Sequence, residues 1–104
     1  MTGKTLRRKV KETVRKHDPT AQITLFGSRA RGDAASDSDW DFLILLAEPA
    51  DAHVKKAIRH ALYEIEWDSG QVISCVIHSR DEWHSAPLTS TPFHSSIDRE
   101  GVTL

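Results

Sequence analysis

The sequence predicts an α/β fold of the mixed α+β kind: a small mixed β-sheet with helices packed against it. Three observations carry this expectation. Ala21–Phe26 (AQITLF), Asp39–Leu46 (DWDFLILL) and Val72–Ile77 (VISCVI) have the length and the apolar or β-branched content of strands. Two other segments place apolar residues at helical spacing, Leu6, Val10 and Val14 in the first and Val54, Ile58, Ala61, Leu62 and Ile65 in the second. The resulting order of helix, strand, strand, helix, strand suits a sheet layered on helices. A chain of 104 residues holds one core, so a single domain over residues 1–104 is expected.

The first helix ends at Asp18-Pro19, because the residue before a proline is pushed out of the helical region. After the first strand, Gly27-Ser28 reads as a turn, and the small, polar stretch Asp33 to Ser38 as a loop. The second strand is buried on both faces in its later half. Pro49 suits the first turn of the next helix, and Gly70 is its natural C-cap. A short helix over Asp81–His84 follows the third strand under a Ser79 cap. The region from Pro87 to Pro92 reads as loop, Ser95–Glu100 as a last helical turn, and Gly101–Leu104 as tail or edge strand.

Composition excludes several classes. With 38% hydrophobic and 28% charged residues, the chain reads as soluble and globular. Its longest apolar run, Phe42 to Ala47, is far too short to span a bilayer. The first residues, MTGKTLRRKVKE, are charged from the start and form no signal-peptide core, so a cytoplasmic location is expected. The one cysteine, Cys75, excludes an internal disulfide and a multi-Cys zinc site, and inside an apolar run it reads as a small buried hydrophobe. A net charge of -1 does not mark a nucleic-acid binder. Half of the 14 Lys and Arg residues do lie in the first 16 positions, a face that can attract phosphates but reads first as solvated helix surface.

The chemistry concentrates between Gly27 and Leu45. Residues two apart in a strand share a face, with Cα atoms about 6.5–7 Å apart, so Asp39 and Asp41 point one way and Trp40 and Phe42 the other. Two such carboxylates repel unless a cation sits between them. They stand at the mouth of a buried strand, an arrangement that suits Mg²⁺ held by one or two carboxylates plus substrate phosphates. An EF-hand reading fits Asp37, Asp39, Asp41 and Glu48 by spacing, yet fails at Phe42, where that loop needs glycine. A glycine after a strand lets backbone N–H groups approach an anion, and the Ser28 hydroxyl adds a donor beside Gly27. Arg29 and Arg31 supply cationic forks for phosphate.

Gly27-Ser28-Arg29-Ala30-Arg31-Gly32 followed by Ser38-Asp39-Trp40-Asp41 resembles the G-S-x-A-R-G … S-D-x-D signature of the minimal nucleotidyltransferases, within the DNA polymerase beta-like nucleotidyltransferase superfamily. The resemblance implies that Asp39 and Asp41 hold two Mg²⁺ ions with a bound nucleoside triphosphate, most simply ATP. It implies that Gly27 and Ser28, with Arg29 and Arg31, hold the phosphates. An acceptor hydroxyl would attack the α-phosphorus in line, and pyrophosphate would leave. Members of this family carry a third carboxylate on a later strand; the matching position here is Ser74, which cannot serve as a carboxylate base. Glu66 and Asp68, near the end of the preceding helix, read first as surface charges and second as candidates to replace it.

The resemblance also implies a partner, since similar proteins are often paired with a helical HEPN toxin and some act as its antitoxin by AMP-modifying a tyrosine. Two readings follow. One is a nucleotidyltransferase acting on a hydroxyl of a partner protein or other acceptor. The other is a nucleotide-binding module that has lost turnover and acts by partner contact. A third, modification of an aminoglycoside-like small molecule, is weaker, because it needs a further acceptor-binding domain.

Overall fold

The computed structural model describes residues 1–49 and 51–104. In chain order its elements are α1 (Gly3–His17), β1 (Gln22–Phe26), α2 (Ser28–Arg31), β2 (Trp40–Leu46), α3 (Ala52–Ser69), β3 (Ile73–Ser79), α4 (Arg80–Trp83), a 3₁₀ turn (Leu88–Ser90), α5 (Pro92–Glu100) and β4 (Val102–Thr103). The sheet runs in the order β3-β2-β1-β4. β2 and β3 are parallel, while β1 pairs antiparallel with both β2 and β4, so the sheet is mixed as the sequence predicts.

Alternation along the strands sorts the core into two layers. On one face, Phe42, Ile44 and Leu46 of β2 join Ile23 and Leu25 of β1 and Ile73 and Ile77 of β3. The stripes Leu6-Val10-Val14 of α1 and Ile58-Leu62-Ile65 of α3 cover this face. On the other, Leu43 and Leu45 pack with Trp83 of α4 and Ile97 of α5. β2 is therefore covered on both sides, with every residue from Phe42 to Leu46 at most 5% exposed. Burial of side chains of this size is worth about 1.5–3 kcal/mol each. Cys75 packs at the edge of the first layer, where burial pushes its thiol up from the ordinary value.

Several boundaries differ from the sequence expectation, each for a local reason. α3 begins at Ala52 and not in the turn at Pro49, because the Asp51 side chain caps it by accepting the Val54 N–H at 2.9 Å. α4 begins at Arg80, directly after Ser79, through a reciprocal capping box between Ser79 and Glu82. α5 begins at Pro92, with Thr91 as its cap and proline in its first turn, so it takes in residues expected to be loop. The Gly27-Ser28 turn continues into the single helical turn α2, and β2 starts at Trp40, which leaves Asp39 just outside the ladder. Among the described residues no helix is long and apolar enough to cross a membrane.

Candidate active site

β1 ends where β2 and β3 begin, and this corner gathers Gly27, Ser28, Asp41 and Ser74 of the predicted site. Phe26, the last residue of β1, stands directly opposite Asp41 in the antiparallel ladder. Ser74, near the start of β3, is the parallel partner of Asp41 on its other side. Asp41 shares its face with Leu43 and Leu45, but here the cover of α4 and α5 gives out and the carboxylate is only partly exposed. Phe26 packs edge-on against Phe93 of α5 at 5.4 Å between centroids, which forms an apolar wall beside it.

Gly27 makes the closest approach. Its φ of 74° lies in a region that L side chains rarely adopt. A Cβ there would collide with the Asp41 Oδ2 atom, and would lie 3.3 Å from Asp41 Cγ. The turn and the carboxylate are thus packed together through a missing side chain. Gly27 then caps α2, its carbonyl accepting the N–H groups of Ala30 and Arg31, both at 3.1 Å. The Ser28 and Arg29 N–H groups belong to the first turn, which has no intrahelical acceptors, and they open the helix beside the Ser28 hydroxyl.

The Asp41 carboxyl is held above its ordinary pKa, first by burial and then by the neighbouring Asp39 charge, with Arg31 acting in the opposite direction. Together the Asp39 and Asp41 carboxylates offer oxygen donors of the kind a hard cation requires. Among the described residues no group of three or more His, Cys, Asp or Glu side chains converges into a complete metal cage. The donor set therefore fits Mg²⁺ shared with substrate phosphates, the usual way in which that ion is bound by few carboxylates.

The two arginines diverge. Arg29 donates to the Ser36 carbonyl at 3.2 Å, to the Ser38 carbonyl at 3.0 Å and to Gln71 Oε1 at 3.3 Å. Its guanidinium also lies over the Trp40 ring, 4.5 Å from the centroid. Trp40 points to the face opposite Asp41, so Arg29 braces the loop leading to the aspartates from behind. Arg31 remains on the site side, paired with Asp33 at 3.2 Å and Glu100 at 3.3 Å.

No carboxylate stands at Ser74, whose side chain is exposed. Glu66 is committed elsewhere, its Oε1 accepting the Ile73 N–H at 3.0 Å, and Asp68 lines a surface cleft with Lys9 and Lys16 of α1. Gln71 and Glu100 are the residues that the sequence did not single out. Gln71 Oε1 accepts from both Arg29 and Trp40 Nε1, each at 3.3 Å, and Glu100 reaches Arg31 from the end of α5. Neither carries a local motif, since each acts on a residue far away in the chain.

Residues 7–98 match the family model of the nucleotidyltransferase domain. No curated protein gives a significant match. A crystal structure of a toxin–antitoxin with AMP-PNP aligns at a TM-score of 0.65 and 20% identity, over 92% of this chain and 69% of that one. A toxin–antitoxin MntA–HpeT structure, with two aspartates two residues apart changed to glutamate, aligns at 0.62 and 17%, over 92% and 69%. A further MntA–HpeT variant, with a tyrosine changed to alanine, aligns at 0.63 and 20%, over 94% and 70%. At these identities the likeness is one of fold.

Proposed function

The chain belongs to the nucleotidyltransferase domain family, and on that premise we propose that it moves a nucleoside monophosphate, AMP from ATP, onto a hydroxyl of a partner protein. The observation that carries the reading is the packing of Gly27 against Asp41, which holds the glycine turn directly against one of the two carboxylates. With no side chain at Gly27 the turn can sit against Asp41, and the Ser28 hydroxyl and first-turn N–H groups of α2 donate to the triphosphate oxygens. Arg31 offers a planar fork to the same anion. Asp39 and Asp41 would hold two Mg²⁺ ions together with the phosphates. Bound there, the ions would offset the negative charge that develops as the acceptor oxygen bonds to the α-phosphorus and pyrophosphate departs.

The proposal takes residues 1–104 as one minimal nucleotidyltransferase domain whose acceptor comes from outside, on the open side at Ser74. Two of the structural neighbours are named as MntA–HpeT toxin–antitoxin structures and one contains AMP-PNP. Their names support a toxin as partner and an antitoxin role for this chain; a HEPN-type toxin and a cytoplasmic setting are parts of the proposal. The aspartate pair changed in one neighbour has the spacing of Asp39 and Asp41. The test mixes the full chain, its partner, Mg²⁺ and ATP labelled on the α-phosphate. Label should pass to the partner, and Asp39→Ala or Asp41→Ala should reduce transfer by roughly 100-fold or more, at least what loss of a residue supporting a metal ligand costs.

A second reading is favoured by Ser74 beside Asp41: a module that binds nucleotide and partner without turnover. In that case wild type transfers no label even with its true partner, and the double variant Asp39→Ala, Asp41→Ala still binds that partner.

A further inference from the structure

Arg31 is the cation whose charge reaches Asp41, yet its guanidinium is already engaged. Nε donates to Asp33 Oδ2 at 3.2 Å and Nη1 to Glu100 Oε2 at 3.3 Å. Asp33 is its near neighbour in sequence, whereas Glu100 lies 69 residues away at the end of α5. The side chains of this trio are 42%, 61% and 34% exposed, so water competes for every contact. Ion pairs of this kind are weak, worth roughly a 1.5- to 5-fold effect on an equilibrium.

The backbone behind Glu100 is anchored without that pair. The Gly101 N–H bonds the Ile97 carbonyl at 2.8 Å, and Gly101 sits against Thr24 so closely that a Cβ would come within 2.7 Å of Thr24 Cγ2. β4 then pairs with Thr24 and Leu25 of β1, and the Leu104 N–H bonds the Ile23 carbonyl at 2.9 Å. The Glu100 carboxylate can therefore leave Arg31 while the end of α5 stays in place.

We propose that Glu100 competes in-chain for Arg31: it holds the guanidinium in an autoinhibitory contact that an incoming triphosphate must displace. The inference rests on the assignment of Arg31 to the phosphate end of the site.

The test titrates the full chain with MgATP and separately with AMP, by calorimetry at low ionic strength. Glu100→Gln should tighten MgATP binding roughly two- to five-fold. AMP should gain no more than MgATP, because a ligand too weak to displace Glu100 recovers at most its own contact with Arg31. In an Arg31→Gln background, Glu100→Gln should change neither affinity. Unchanged or weaker binding by a folded Glu100→Gln, or a gain that persists without Arg31, overturns the competition. If Glu100→Gln does not fold, Asp33→Asn removes the other competing carboxylate and should shift binding in the same direction, with no shift counting against the proposal. Wild-type binding that depends on Asp39 and Arg31 but ignores Glu100 leaves the site reading intact and removes this one. Absence of MgATP binding by wild type removes both.

Discussion

At the scale of the residue, Asp41 shows how the site works against the fold. Burial and the Asp39 charge raise its carboxyl above the ordinary 3.8. Between that value and the raised one, the native state binds more protons than the unfolded chain, so stability falls as pH rises through the window. The cost is present in full at neutral pH, where Asp41 is ionised. Asp41→Asn should therefore raise the urea midpoint at pH 7 while abolishing metal-dependent nucleotide binding. The gain should shrink as pH approaches 3.8, because wild type is then protonated too. An Asn variant no more stable than wild type at pH 7 would show that burial places no strain on this carboxylate. The outward face of Asp41 was legible in the sequence from the period of two along β2, whereas Asp39 lies just before that strand and is coupled to Asp41 by its charge. The divergence of Arg29 from Arg31 was not, because it depends on Gln71, 42 residues beyond Arg29.

At the scale of the element, α4 is a single turn, too short to persist by itself. Ser79, fully buried, accepts the Glu82 N–H at 3.1 Å, and the Glu82 carboxylate accepts the Ser79 N–H at 2.9 Å. This box aims Trp83 into the second core layer, where its ring stacks between His94 at 4.5 Å and His78 at 6.1 Å. Ser79→Ala should cost about 1–2 kcal/mol, read from the denaturant midpoint, and should weaken the near-UV signal of the packed indole. The backbone N–H of Ser79, and then its side chain, hold the Glu82 carboxyl below its ordinary range. Its contribution is accordingly present above that range and lost as pH falls through the folded value. The Ser79 and Gly70 caps were legible, since each is a residue type that ends or begins helices for a stated reason. The start of α5 was missed because Pro87 and Pro92 look alike as loop markers. Only Thr91, capping the His94 N–H at 3.1 Å, makes Pro92 a first-turn proline.

At the scale of the whole molecule, the sheet is covered on one face by α1 and α3 and on the other by α4 and α5, except at the corner where β1 gives way to β2. The class of fold followed from the order of periodic segments. The strand order β3-β2-β1-β4 did not, because the outer strand β4 is two residues long and pairs with β1 across most of the chain. The alignment of Ser74 with Asp41 likewise becomes visible only when the parallel register is known. One contact on the far side of that corner makes the protein its own optical probe. Trp40 sits between the two aspartates in sequence and points away from them, its indole under Arg29 and its Nε1 bonded to Gln71. A shift of the phosphate turn must change what lies on that ring, whereas Trp67 is 75% exposed and Trp83 is buried in the other core layer. Saturating MgATP should thus alter the tryptophan emission of wild type, and Trp40→Phe should erase the response. A spectrum indifferent to nucleotide in wild type would mean that the turn is already set before the triphosphate arrives.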